Sequence, residues 1–166
     1  MPRQIPRAAR NNLRFAYASW VAVSVSDLAG SPNTASRPSS STMSEPTSSV
    51  YVIIPVYNEA PVIRHVLTEV LTYFTNVICV DDGSSDRSAE EIARTDATLI
   101  RHPINLGQGA ALQTGLDYAL DDPDAEYFVT FDSDGQHRIE DALKMLEILR
   151  TGDYDIVLGS RFLGSM

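Results

Sequence analysis

The chain has 166 residues, 43% of them apolar and 21% charged, and its 22 acidic against 13 basic side chains give a formal net charge of -9. These values fit one α/β or α+β domain and no second one, and they leave no basic footprint for a nucleic-acid backbone. No stretch approaches the roughly 18 apolar residues of a membrane-spanning helix, and the lone cysteine, Cys79, excludes an internal disulfide and a cysteine zinc cluster.

Residues 1–49 differ in kind from the rest. They hold five Arg against one Asp and one Glu, a balance of +3, whereas residues 50–166 stand at -12. Arg3, Arg7, Arg10 and Arg14 precede a weak apolar patch from Phe15 to Val25, and a Ser/Pro/Thr tract runs from Ser31 to Ser49. Such a tract buries too little apolar surface to offset its ordering entropy, so residues 1–49 read as a disordered leader. A secretory signal would want a cleaner apolar core than Tyr17-Ala-Ser-Trp20, while an organelle transit peptide suits the Arg-rich, acid-poor composition. The favoured origin is upstream sequence read in frame ahead of a true start at Met43, seven residues before the first strand.

That strand is Val50 to Ile54, a continuous β-branched run closed by Pro55. Asn58 is the expected cap of the next helix, with Pro61 in its first turn and Val62, Val66, Leu67, Val70 and Leu71 at helical spacing. Val77 to Val80 is the second strand, and its Cys79 reads as a buried thiol. A helix runs from Asp86 through Arg94, then a third strand from Thr98 to Arg101. Leu112, Leu116, Ala119 and Leu120 mark a helix opened by a Gly-rich turn; Tyr127 to Phe131 is the fourth strand. A helix with Ile139, Leu143, Leu146 and Leu149 leads to a fifth strand, Asp155 to Leu158. This alternation predicts a mostly parallel sheet with helices on both faces, whose ligands bind beyond the carboxyl ends of the strands.

The segment after each strand is acidic or amide-rich. Pro55-Val-Tyr-Asn-Glu59 comes after the first and Asp81-Asp-Gly-Ser-Ser-Asp86 after the second. Asn105-Leu-Gly-Gln-Gly109 comes after the third, and Asp132-Ser-Asp134-Gly-Gln136-His137 after the fourth. Each could be only a turn with caps. Several acids on one rim repel one another unless a cation or ligand donors compensate, so together they favour a site. Asp132 and Asp134, one residue apart at the end of an apolar strand, offer oxygen ligands suited to Mg²⁺ or Mn²⁺ bridging to phosphate. His137 is near enough to join them or to lie in solvent. Gly107-Gln-Gly109 is a weak dinucleotide signal, because Leu112 stands where the third Gly should be.

Val52-Ile-Ile-Pro-Val-Tyr-Asn-Glu59, Val80-Asp-Asp-Gly-Ser-Ser-Asp86, Asn105-Leu-Gly-Gln-Gly-Ala-Ala111, Phe131-Asp-Ser-Asp-Gly-Gln136 and Gly159-Ser-Arg161 together resemble the family 2 glycosyltransferases. Within that family the chain is most similar to the dolichyl-phosphate mannose and polyprenyl-phosphate glucose synthase branch, over about residues 50–164. The resemblance implies a Rossmann-like GT-A fold, a nucleotide-sugar donor of the GDP-mannose or UDP-glucose type, Mg²⁺ or Mn²⁺, and inversion at the anomeric carbon. It places Pro55, Tyr57 and Glu59 around base and ribose, with Asp81 or Asp82 hydrogen-bonding one of them, Asp82 being favoured. Asn105 and Gly109 belong to the donor-binding loop; Asp132, Asp134 and Gln136 are the metal and catalytic set; Arg161 approaches phosphate. Gln108 departs from the pattern, since many relatives carry Lys or Arg there.

The resemblance further implies a polyprenyl or dolichyl phosphate acceptor and a site in the cytoplasm or at the cytoplasmic face of a membrane. Only 32 residues come after Asp134, so the chain reads as a C-terminally incomplete donor-binding half, with membrane contact left to the missing part. A catalytically silent nucleotide-sugar module is the alternative. Phe131-Asp-Ser-Asp-Gly135 also resembles the haloacid-dehalogenase phosphatases, but those carry the motif on their first strand.

Overall fold

Val50–Val56 (β2) is apolar on both faces and buried along most of its length, which fits a strand covered from two sides. The computed structural model, which describes residues 21–24, 47–135, 138–151 and 154–158, puts it near the middle of a six-stranded sheet. The other strands are β1 (Val21–Ser24), β3 (Asn76–Asp81), β4 (Thr98–Arg101), β5 (Tyr127–Thr130) and β6 (Ile156–Leu158), in the order β4-β3-β2-β5-β1-β6. The helices are α1 (Ile63–Tyr73), α2 (Ser88–Ile92), α3 (Gln108–Ala119) and α4 (Ile139–Thr151). β2, β3, β4 and β5 run parallel, and β1 is antiparallel to both β5 and β6.

Helices cover both faces, as the alternation predicts. On one face Ile63, Leu67 and Val70 of α1, Ile92 of α2 and Leu146 of α4 pack on Val52, Ile54, Val77 and Val129. On the other, Ala111, Leu116 and Ala119 of α3 pack on Ile53, Ile78, Val80 and Phe128. Cys79 is buried, and burial pushes its thiol far above the ordinary range, as expected of an inert strand thiol.

The chain steps outward from β2 to β3 and β4, then returns through α3 to β5 on the other side of β2. The carboxyl ends of β2 and β5 therefore flank the point where strand order reverses, the place where such sheets bind ligands. Pro55 helps to open that point. The Ile53 carbonyl accepts from the Phe131 N–H, while the Val56 carbonyl accepts from Asp82 on the β3 side. By the alternation of backbone groups Pro55 faces β5, whose pairing with β2 ends at Ile53 opposite Thr130. Pairing with β3 continues to Val56 opposite Asp81. A missing N–H thus loses no ladder bond at Pro55, and the strands part there.

Three local expectations need correction. Asn58 does not cap α1, which starts at Ile63 with Val62 at its N-cap and no side-chain cap bond. Asn58 instead takes a positive φ of 58°, as Asn tolerates better than most residues, and so Pro61 precedes the helix rather than standing in its first turn. The helix expected from Asp86 to Arg94 is shorter, Ser88–Ile92, because Asp86 spends its carboxylate on a turn. The third correction lies in the leader. Val21–Ser24, inside the segment read as disordered, is a strand, with Ala22 opposite Val129 and also opposite Val157. It covers the backbone groups that β5 would otherwise leave open at a sheet edge, and it lies in the weak apolar patch Phe15–Val25, as a run too short to stand out.

Gly115 sets how closely α3 lies on the sheet. A Cβ there would stand 2.5 Å from Ile53 Cγ2, and Ile53 is fully buried and stiff at χ1. Gly115→Ala gains about 1 kcal/mol of helix propensity but overpacks the core by about 1–3 kcal/mol. Urea unfolding should show a net loss of up to about 2 kcal/mol.

Candidate functional site

Two loops on the carboxyl rim are laced together first. The Asn58 N–H donates to Ser84 Oγ at 2.9 Å, and the Ser85 N–H returns a bond to Asn58 Oδ1 at 2.9 Å. The Glu59 N–H donates to Ser88 Oγ at 2.8 Å and the Ala60 N–H to Asp86 Oδ2 at 3.0 Å. Within Asp81-Asp-Gly-Ser-Ser-Asp86, Ser84 and Asp86 thus act as acceptors for the loop after β2 and Ser85 as a donor to it. Burial opposes charge on Asp86, but the bonds from Ser88 and Ala60 outweigh it and hold its carboxyl below the usual range.

Asp81 ends β3, Asp82 comes directly after it, and both are buried. Asp81 accepts the Ser84 N–H at 3.1 Å and pairs with Arg101 Nε at 2.9 Å. Asp82 accepts from the Leu106 N–H at 2.9 Å and the Gly107 N–H at 2.7 Å, and meets His102 Nδ1 at 2.6 Å. Burial disfavours its charge, yet these donors prevail and hold its carboxyl below the ordinary range. A depressed folded pKa contributes stability that is complete above the unfolded value, about 3.9, and is lost as pH falls toward the folded one. Melting temperature should therefore decline below about pH 4. Asp82→Asn should melt lower at neutral pH and show a flatter acid limb in the same scan.

Gly83 lets the loops after β3 and β4 meet. Its φ is +71°, and a Cβ would stand 2.5 Å from the Ile104 carbonyl carbon. Asn105 is exposed, accepts the Gly107 N–H at 3.0 Å, and so shapes the turn into α3, in whose first turn Gly109 lies.

Asp132 and Asp134 stand just beyond β5, half-buried and exposed respectively, with Ser133 buried between them. Gln108 Nε2, from the first turn of α3, donates to Asp132 Oδ1 at 3.1 Å. Glu59, beyond β2, has its carboxyl pushed up by burial and then by the charges of Asp134 and Asp86. That shift ties the two sides of the strand split together electrostatically: Glu59 and Asp134 share one field. Of the three residues expected near base and ribose, Tyr57 and Glu59 present surface, whereas Pro55 is buried within β2. Gln136, His137 and Arg161 lie outside the described residues. Among the described residues no three His, Cys, Asp or Glu side chains gather closely enough to enclose a metal by themselves.

Sequence reasoning misses His102, Arg101 and the link from Gln108 to Asp132. A signal exists for the first two: Arg101 ends β4 and His102 comes directly after it, on the same rim as the acids, ahead of the Asn105 motif that draws the eye. Gln108 stands out in the sequence only as a lost cation, and its reach across the split is not readable from spacing.

Residues 51–166 match the family model described as Glycosyl transferase family 2. The UDP-N-acetylglucosamine–dolichyl-phosphate N-acetylglucosaminyltransferase of Methanococcus voltae is 34% identical over 130 residues, an alignment covering 68% of this chain and 51% of that protein. A dolichyl-phosphate beta-glucosyltransferase of Trichomonas vaginalis is 29% identical over 136 residues, covering 68% and 41%. Glucosyl-3-phosphoglycerate synthase from Mycobacterium tuberculosis, solved with Mn²⁺, UDP and glucosyl-3-phosphoglycerate, superposes with a TM-score of 0.53 at 23% identity. That superposition covers 63% of this chain and 40% of the other, a likeness of fold. The chain spans about half the length, or less, of the curated relatives it matches. With a GT-A sheet, its rim motifs in order and a family match over most of its length, the chain belongs to the family 2 glycosyl transferases.

Proposed function

We propose that residues 50–166 are the donor-binding part of an inverting glycosyltransferase that moves a sugar from a nucleotide-sugar to a polyprenyl or dolichyl phosphate. The observation that carries this reading is the split between β2 and β5, with Asp132 and Asp134 on one lip and Glu59, its carboxyl raised by burial and by Asp134, on the other. Carboxylates gathered at a ligand crevice repel one another, and a divalent cation relieves that repulsion. Mg²⁺ and Mn²⁺ are commonly held by one or two carboxylates plus substrate phosphates, so a pair without a third enclosing acid fits them. Asp132 and Asp134, with Gln136, would hold the ion, which when bound neutralises charge on the departing nucleotide diphosphate.

The chain's own residues account for the rest. Tyr57 and Glu59 would face base and ribose, Asp81 and Asp82 shape the wall beneath them, and Asn105 to Gly109 bring the start of α3 toward the diphosphate. Arg161 is assigned to phosphate from the motif alone. The acceptor oxygen displaces the nucleotide in one step from the opposite side of the anomeric carbon, and no side-chain nucleophile is required. A lipid monophosphate, with a second pKa near ~6 as in phosphorylated side chains, is mostly dianionic without a base. Gln136, as a neutral ligand, would leave the ion more positive and so ease the approach of that dianion. The two relatives named for dolichyl-phosphate transfer support this acceptor class. No helix among the described residues is long and apolar enough to cross a membrane, and the proposed place of action is a cytoplasmic membrane face.

The test is transfer of labelled sugar, with Mn²⁺, to polyprenyl phosphate or to an oligosaccharide, in the protein extended to the length of its relatives. Label should appear in the lipid and fall about tenfold or more with Gln136→Glu, in line with losses from altered metal surroundings. Label confined to the oligosaccharide would overturn the acceptor assignment. Metal-dependent nucleotide binding without transfer would favour the silent module.

A further inference from the structure

We infer that His102 is a positioning residue for donor binding: through Asp82 it fixes the loop Asn105–Gly107 and thereby the start of α3, from which Gln108 reaches Asp132. The inference rests on the donor-site reading above. His102 is 9% and Asp82 3% exposed, so each needs internal partners. The backbone N–H of His102 donates to the Asp81 carbonyl at 2.9 Å, which sets the residue against the end of β3. Its ring then spans two elements, with Nδ1 at 2.6 Å from Asp82 Oδ1 and Nε2 at 2.9 Å from Thr114 Oγ1 in α3.

Asp82 passes the constraint on. Its two oxygens accept the Leu106 and Gly107 N–H groups, and Gly107, with a φ of 92°, is the N-cap of α3. The next residue is Gln108, bonded to Asp132. Hydrogen bonds therefore run from a buried imidazole to the first carboxylate of the Asp-x-Asp pair, through one carboxylate and one helix start. Without the His102 donor, the Asp82 carboxylate keeps its two amides but loses the group that fixes its plane. The ring arms are separable, because an Asn side-chain N–H replaces the Nδ1 donor to Asp82, while a Gln side-chain amide reaches the Nε2 position, where the Thr114 hydroxyl can donate or accept. The Asp82 arm is the one that carries the constraint to the loop.

The test uses His102→Asn, His102→Gln and wild type of the full chain, with Mn²⁺ plus UDP and Mn²⁺ plus GDP as probes in calorimetry. Amide hydrogen exchange is followed in the absence of ligand. His102→Gln should weaken nucleotide affinity about fivefold, the scale of one hydrogen bond, and speed exchange at the Leu106 and Gly107 amides. His102→Asn should stay within about twofold of wild type and protect both amides. Equal affinity and equal exchange in all three proteins would overturn the positioning role, as would faster exchange spread evenly over β2, β3 and β4. If wild type binds neither nucleotide, the donor reading fails by itself, and faster exchange at the two amides in His102→Gln alone still decides whether His102 fixes the loop.

Discussion

Asp134→Ala should lower the affinity for nucleotide diphosphate in the presence of Mn²⁺ by about 100-fold, the upper end of losses from disturbing a metal's surroundings. Asp134 is exposed, so the substitution leaves packing alone and the melting temperature should hold. A second readout needs no ligand. The Glu59 carboxyl is raised by its burial and by the Asp134 charge, so removing Asp134 should move the Glu59 titration, followed by NMR, back down toward its ordinary value. Ser133→Ala is the control: Ser133 lies in the turn between the two acids and is buried, whereas Asp134 is exposed, and the substitution removes a hydroxyl and leaves both carboxylates in place. Nucleotide affinity should change little. Loss of binding in Ser133→Ala equal to that in Asp134→Ala would mean that segment geometry, and not the carboxylate, carries the effect.

Gly83→Ala should be the most destabilising single substitution on the rim. The residue holds a left-handed φ of +71°, which costs about 1–2 kcal/mol in any residue with a Cβ. The new Cβ would also stand 2.5, 2.7 and 2.9 Å from the Ile104 carbonyl carbon, the Asn105 nitrogen and Ile104 Cα. These are backbone atoms and cannot swing aside as a side chain can. The combined loss is about 3 kcal/mol or more, read as a shift of the urea midpoint, and nucleotide binding should fall with it because Asn105–Gly107 is displaced. A neutral Gly83→Ala would mean that the loops after β3 and β4 do not approach each other in solution.

The parallel core is legible in the sequence because its strands are short β-branched runs separated by helical spacing, and β4 covers the expected Thr98–Arg101. Strand ends are harder. Asn58 carries a good capping signal, yet its side chain serves the loop after β3, and no local pattern encodes a bond across 27 positions. Val21–Ser24 is hidden for the opposite reason: four residues at the end of a weak apolar patch, in a leader with no other strand or helix pattern, are too short a run to read, and only the open edge of β5 gives them a place. The acids of the rim can be found as a set, since each stands directly after a strand. Their division of labour cannot. Asp82 reads as a ligand-facing acid from its motif, whereas burial and three donors make it an internal tie as well, a distinction that depends on what folds over it.

Binding of a nucleotide diphosphate at the split between β2 and β5, through a divalent cation held by Asp132 and Asp134, is open to direct measurement. Titration calorimetry of the 166-residue chain with UDP and with GDP, each with Mn²⁺ and again with excess EDTA, tests both the site and its need for metal. Saturable binding of at least one nucleotide with Mn²⁺ and none in EDTA is the expected result, whereas equal binding with and without the metal would contradict it.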